Sequence, residues 1–385
     1  MAIVQGAITI VLFLAILVVL VLVHEVGHFV AARMARIRVH EFGIGFPPRA
    51  RVLRAKGETL YTLNWLPIGG FVRMEGEDGD STDPRSFTKQ GLPTKLLVLV
   101  AGVAMNLLLA FVLFTGIAWL ASPQAQLLIG EVQAGGPAAT AGLAAGDAIL
   151  AIDGQTFDYL PPQPSLRAAT AELRERAGRT VVLAVLRADG SRESITATLR
   201  PPEQLARGAL GIQISGFGAS GEYAGNDLAT AVALGAGWTV DAFGMVLQGL
   251  GDLVGSIASD PTGAPPVSGP VGIAATVGDV FWNPDLGPVY LVYLVALLSA
   301  NLALVNILPF PPLDGGRMLV ISLKAGLGAG SRLLRRAGVR VTGPSSETAV
   351  AAERMAYLVG FVLLFAFLAW VTFFDIARQV GGGGP

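Results

Sequence analysis

His24-Glu25-Val26-Gly27-His28 decides how this chain folds, because it places three ionisable side chains at the end of a long apolar run, Ala7–Val23. A membrane-spanning helix needs about 20 residues, so the stretch falls in the last turns of a predicted transmembrane helix over about 7–33. No basic residue precedes the run and no small-residue cleavage site follows it, which favours a span over a signal peptide.

The spacing of these residues indicates a metal site. On a helix, His24 and His28 share one face, so both imidazoles can reach a single ion. Glu25 is then placed to hold and deprotonate a metal-bound water. The alternative is a pair of helix-end histidines facing the cytoplasm. It is disfavoured because three ionisable groups buried in a span need a compensating interaction.

The composition agrees with a membrane protein. The 385 residues are 52% hydrophobic and only 14% charged, whereas a soluble domain carries roughly a quarter charged residues. The mean hydropathy is +0.60. A net charge of −1 gives no case for nucleic acid as a partner. The absence of cysteine excludes thiolate metal sites and cysteine nucleophiles.

Further apolar runs complete a predicted set of four transmembrane helices, over about 7–33, 96–121, 289–309 and 355–374. A fifth apolar segment, 228–258, contains Asp241 and Asp252, and two carboxylates within a span would be costly in lipid. We predict an amphipathic helix on the membrane surface there, within a linker over 217–288. A fifth span is the alternative.

Basic residues in the loops predict the orientation. Residues 34–95 carry ten Lys/Arg and residues 317–354 carry seven, so both segments should be cytoplasmic. Four spans then place 122–288 and both termini outside. The membrane core consists of two parts, 1–121 and 289–385. Between them, 126–216 alternates short β-type runs with turns and one helix, which predicts an inserted α/β domain.

Asp314 is the preferred third metal ligand. It follows the stretch Asn306–Leu313, whose three prolines break the third span as it nears the cytoplasmic face. Gly315 and Gly316 allow a tight turn beside the carboxylate. Asp314 should therefore emerge at the depth of the two histidines. Other open possibilities are His40, Glu41 and Glu58, and Asp314 alone would suit a turn or a helix N-cap.

In these residues the chain resembles the site-2 intramembrane metalloproteases, in particular the bacterial RseP-like group. The paired hallmarks are H-E-x-x-H in the first span and N-x-x-P-x-x-x-x-D-G at the end of the third. Further matches are Gly43–Phe46, Pro67–Glu77, Ala101–Asn106 and Ser268–Ile273. The resemblance implies a polytopic α-helical protein of the bacterial cytoplasmic (inner) membrane, with the active site near the cytoplasmic side.

The resemblance also implies residue roles. Zinc would be held by His24, His28 and Asp314, with Glu25 activating the water. Asn301 and Asn306 would contact an unwound substrate segment, because a membrane helix shows no free backbone groups to an enzyme. Their alternative role is hydrogen bonding between helices. A cytoplasmic hairpin loop over 42–75 would offer a strand edge to the substrate.

The inserted domain has a likeness of its own. Ile129–Val132 and Gly146–Gly154 resemble strands of a PDZ domain, a fold that binds extended chains by strand addition. Its other possible role is a plug that admits only short substrates.

The expected function is that of an intramembrane zinc metalloprotease. The resemblance implies that it cleaves single-span membrane proteins, such as anti-sigma factors or remnant signal peptides, within the lipid bilayer. The alternative is a catalytically silent membrane scaffold whose PDZ domain binds partner tails.

Overall fold

The computed structural model describes residues 2–55, 57–77, 79, 81–160, 164–260, 262–283, 287–336 and 346–381. The chain divides into two compact units, Met1–Leu113 with Thr239–Pro385, and Phe114–Trp238. The helices are α1 Ala2–Met34, α2 Leu92–Leu120, α3 Pro137–Thr140, α4 Pro164–Glu175, α5 Leu228–Ser259, α6 Pro270–Trp282, α7 Pro288–Ile307, α8 Asp314–Arg336 and α9 Ser346–Val380. The strands are β1 Val39–Arg54, β2 Leu60–Met74, β3 Ser122–Val132, β4 Ala148–Ile152, β5 Gln155–Thr156, β6 Thr180–Leu186, β7 Arg192–Thr198 and β8 Ile212–Ala224.

Within the described residues, five helices are long and apolar enough to cross a membrane: α1, α2, α5, α7 and α9. The sequence predicted four, and α5 is the additional one. The helices also run past the predicted limits. For example, α9 begins at Ser346 rather than near Met355. The polar turns before Met355 are rich in alanine and glutamate, which favour helix, so the helix continues beyond the apolar segment.

The start of α5 packs against the end of α2. Just before α5, the Asn226 side chain donates a hydrogen bond to the Ala118 carbonyl at 2.7 Å. Ten residues into α5, Trp238 packs edge-on against Phe114, with ring centroids 6.2 Å apart. The first three turns of α5 therefore lie beside the last two turns of α2.

The first unit also contains a β-hairpin, β1 and β2. Strand β1 pairs with both ends of β2, so that Gly43 lies opposite both Phe71 and Thr62. The base of the hairpin, including Val39 and Val72, is buried with residues of α1 and α2. This packing fixes the hairpin beside the histidine-bearing helix.

The second unit is built on one antiparallel sheet with strand order β7-β6-β4-β3-β8, and β5 pairs with β4. Its core is formed by Leu127, Ile149 and Leu183 of the sheet together with Leu173 of α4. Strand β8 is an edge strand that pairs with β3 along most of its length. The expected linker over 217–288 is therefore wrong at its start, because β3 begins at Ser122 and its early residues hold β8 in the sheet as far as Ala224.

Candidate metal centre

Two imidazoles and one carboxylate meet in the first unit. His24 and His28 lie on α1, and Asp314 is the first residue of α8. The His24 Nε2 atom is 2.9 Å from Asp314 Oδ2, and His28 Nε2 is 3.2 Å from the same oxygen. The two Nε2 atoms are 3.1 Å apart. The three predicted ligands therefore meet, and their donor atoms form a nearly equilateral triangle.

The donor set suits a zinc ion. Ligands of a tetrahedral zinc at 2.0–2.1 Å lie about 3.3 Å apart, close to the three separations found here. Both histidines are buried, at 6% and 7% exposure, and burial of such groups without a partner is costly. Three protein donors leave the fourth tetrahedral position for water or substrate, the pattern of catalytic rather than structural zinc sites.

Glycines let the backbone come close to this triangle. A Cβ at Gly102 of α2 would lie 2.5 Å from His28 Nε2 and 2.8 Å from His24 Nε2. At Gly27, between the two histidines, a Cβ would lie 2.8 Å from Met105 Cγ. A Cβ at Gly316 would lie 2.6 Å from the Phe310 carbonyl carbon. These positions need glycine because a neighbouring helix or turn fills the space that a side chain would take.

Neighbouring groups orient both imidazoles. His28 Nδ1 lies 2.8 Å from the Val98 carbonyl, to which it donates, so its Nε2 lone pair faces Asp314. His24 Nδ1 lies 3.5 Å from the Asn106 amide nitrogen. The Asn106 Oδ1 atom is buried without a hydrogen-bond partner among the described residues. Turning the amide by 180° places Oδ1 beside His24 Nδ1, where it can accept from the Nδ1–H group.

Asn106 is therefore a positioning residue that the sequence argument did not assign. The residue is fully buried, and its backbone carbonyl accepts a hydrogen bond from Ser299 Oγ at 2.8 Å. The available signal was a lone amide in an otherwise apolar span, since such residues in lipid need a polar partner.

Glu25 lies beside the triangle. It is partly buried and interacts electrostatically with both histidines and with Asp314. The β2 backbone passes close to it, since a Cβ at Gly70 would lie 3.6 Å from Glu25 Cγ. The hairpin thus borders the carboxylate that the sequence predicted as the base.

An ion pair links the hairpin to the turn that bears Asp314. Arg317 Nη1 lies 2.5 Å from Glu77 Oε1, while Glu77 Oε2 accepts from the Met74 backbone N–H at 3.2 Å. Arg317 is in the first turn of α8, so this pair ties the end of β2 to the helix whose first residue is the third donor.

The other sequence candidates lie elsewhere. His40 pairs with Glu75 at 2.6 Å, Glu41 pairs with Arg49 at 2.8 Å and Glu58 pairs with Arg85 at 2.9 Å. None of these three candidates joins the triangle of donor atoms in the described part of the chain.

Asn301 and Asn306 are both partly buried on α7. Five residues of α-helix turn by about 140°, so the two side chains leave α7 in different directions. They cannot both face one substrate strand along the same side of the helix.

The apolar helices and the converging donors together define a membrane protein with a metal centre of the H-E-x-x-H type. The chain belongs to Peptidase family M50, whose family model matches residues 12–342. It is 32% identical to a protein of Mesorhizobium japonicum that is named as a zinc metalloprotease, over 96% of this chain and 98% of that one. A similarly named protein of Nostoc is 33% identical over 81% and 85% of the two chains. The zinc metalloprotease RasP of Geobacillus kaustophilus is 27% identical over 96% and 98%.

A methyl group at Gly102 tests the packing around the donors. Gly102→Ala should lower the zinc content of the purified protein, because the new Cβ falls within the contact distance of both Nε2 atoms. Gly116→Ala on the same helix is the matched control, since a Cβ there has no neighbour within 4 Å. Zinc per protein after dialysis measures the effect. Equal zinc content in both variants would contradict the close packing.

Asn106→Leu should weaken zinc binding by roughly 10- to 100-fold, the usual cost of losing an outer hydrogen bond to a metal-binding histidine. Asn106→Asp retains an acceptor for His24 Nδ1–H and should recover part of the affinity. Competition with a chelator measures both. Ser299→Ala, which removes only a bond to the Asn106 backbone, controls for packing. A wild-type affinity for Asn106→Leu would exclude the positioning role.

Proposed function

We propose that this chain hydrolyses peptide bonds of single-span membrane proteins inside the bilayer, at a zinc ion held by His24, His28 and Asp314. The chain is a zinc-dependent peptidase of family M50. The observation that carries the proposal is the convergence of three donor atoms within 3.2 Å of one another, supplied by a helix long and apolar enough to span a membrane and by the turn that follows another such helix.

A bound zinc ion would lower the pKa of a water toward 7 and polarise the scissile carbonyl. Glu25 would accept a proton from the attacking water and later deliver it to the leaving amine. Its neighbours favour this role, because Glu25 lies within the field of both imidazoles and of Asp314. The Val98 carbonyl and Asn106 would hold the two imidazoles in the tautomers that leave both Nε2 atoms free.

The hairpin supports an extended substrate. A transmembrane helix satisfies its own backbone groups, so it must unwind before an enzyme can reach a peptide bond. Residues 70–74 of β2 pair with β1 on one side, and the β2 backbone passes Glu25 at Gly70. An unwound segment could add to this region as a strand. Asn306 and Asn301 would pair with backbone groups released nearby, from different sides of α7.

We further propose four spans, with α5 outside the set. Asp241 and Asp252 support a helix that lies near the membrane surface, because two carboxylates within a span would be costly in lipid. A spanning α5 would place the basic segments 34–95 and 317–354 on opposite sides, against the distribution that loops normally show. With four spans, both segments and the metal centre are on the cytoplasmic side of a bacterial inner membrane.

The domain predicted over 126–216 would then be extracytoplasmic, and we propose that it is a PDZ domain. Its five-stranded path and the helix α4 suit this fold, and among the described residues no strand pairs with the outer edge of β8, which could accept an extended chain. This edge also supports the second candidate function, a scaffold that binds partner tails. The scaffold hypothesis does not account for three metal donors brought together at one point.

Glu25→Gln should retain zinc and lose peptide-bond cleavage, because the amide cannot accept the proton of the attacking water. Glu58→Gln is the matched control, since Glu58 is exposed and pairs with Arg85, away from the donor triangle. The detergent-solubilised full chain would be incubated with a set of single-span peptides, with and without a chelator. Mass spectrometry would then identify the products. Full activity of Glu25→Gln, or cleavage that survives chelation, would overturn the mechanism.

The chain has no cysteine, so single cysteines report its topology. Glu58→Cys and Arg354→Cys should react with a membrane-impermeant maleimide only after permeabilisation, while Glu203→Cys should react in intact cells. If α5 spans the membrane, Arg354→Cys would instead react from the outside. That result would establish five spans.

A further inference from the structure

Helix α8 carries a row of exposed leucines. Leu319, Leu323 and Leu327 are 42%, 55% and 75% exposed. They are four residues apart, so each is displaced by about 40° from the one before and the three form one apolar stripe. Large apolar side chains that line up on one exposed face mark a surface that contacts something apolar.

This stripe is distinct from the face that packs on the protein. Met318 and Ile321 of α8 contact the buried cluster formed by α1, α2 and the hairpin. They lie within about 60° of each other on the helix, and the middle of the leucine stripe is about 170° away from the middle of that face. One side of α8 is therefore held by its own unit, while the opposite side presents leucine outward.

The helix is also strongly basic. Its sequence contains five basic residues, Arg317, Lys324, Arg332, Arg335 and Arg336, and a single acid, Asp314. Arg317 and Lys324 pair with Glu77 and Glu353. The other three basic residues are all within the last five residues of the helix sequence, so basic charge is concentrated at that end. An apolar stripe combined with excess basic charge is typical of helices that lie in a membrane interface.

We propose that α8 is an interfacial anchor that binds the cytoplasmic leaflet, with its leucine stripe among the acyl chains and its basic end at anionic lipid headgroups. Anionic headgroups complement this charge, and basic residues near such a surface each add attraction. The helix also follows an apolar helix by only a short turn, from Ile307 to Asp314, which keeps it near the membrane. The proposal rests on the cytoplasmic placement of α8 proposed above.

The anchor has a consequence for the metal centre. Asp314 is the first residue of α8, so the depth at which α8 lies sets the depth of the third donor. The histidines are carried by a different helix, α1. A fixed depth for α8 keeps the carboxylate level with the two imidazoles while the substrate enters.

The test uses the full chain in lipid vesicles and nitroxide labels on single cysteines. Leu323→Cys and Leu327→Cys report the stripe, and Gly328→Cys is the matched control on the same turn but about 100° round the helix from Leu327. Collision rates are measured with oxygen, which concentrates in lipid, and with a water-soluble nickel chelate. The labels at 323 and 327 should collide several-fold more with oxygen than with the chelate, and the label at 328 should show the reverse preference.

Varying the anionic lipid separates the contribution of the headgroups to binding from that of the acyl chains. The label at 327 should move deeper when phosphatidylglycerol replaces a third of the phosphatidylcholine. Combined Arg332→Gln, Arg335→Gln and Arg336→Gln changes should abolish that shift. Equal access of the chelate to 323, 327 and 328 in both vesicles would overturn the proposal and leave the stripe for a protein partner. Collision rates can be measured without catalysis. A protein that shows the lipid contact but cleaves no peptide would therefore refute the proposed peptidase activity and leave the anchor intact.

Discussion

The structure depends on bringing one carboxylate against two imidazoles within a largely apolar bundle. His24 and His28 come together through the α-helical repeat alone, but Asp314 must be carried to them across most of the chain. The two imidazoles are buried and the carboxylate is partly buried, where an unpaired polar group would be costly. Their convergence therefore constrains the elements that touch them: α2 needs glycine at Gly102, and the first turn of α8 needs glycine at Gly316.

The constraint extends outward through polar contacts that lie beside the donors. The Val98 carbonyl and Asn106 orient the two imidazoles from α2, while the Glu77–Arg317 pair connects the hairpin to the first turn of α8. A substrate strand added to the hairpin would thus act on the same element that holds Asp314. This connection links the hairpin, where we propose that the substrate strand binds, to the helix that carries Asp314.

The donor set could be predicted from the sequence because each of its two parts has a local sequence pattern. H-E-x-x-H needs only the helical repeat, and the prolines and glycines around Asp314 identify a broken span at the cytoplasmic face. Asn106 and the Glu77–Arg317 pair were not assigned, because each depends on contacts between segments far apart in the sequence. Helix α5 shows another limit: hydropathy and length identify α5 as long and apolar enough to span a membrane, but they do not give the direction in which the helix runs.

The third donor, Asp314, begins a helix and does not lie within a span. A carboxylate in the middle of α7 would be fixed by the packing of that helix, and any adjustment would move the whole span. At the start of α8, Asp314 instead depends on a short turn, on Arg317 and on the depth of an amphipathic helix. Such a donor can be set level with α1 by surface forces that leave the packing of the spans unchanged. If α8 lies in the interface, as we propose, its depth determines the depth of Asp314 relative to the two histidines of α1.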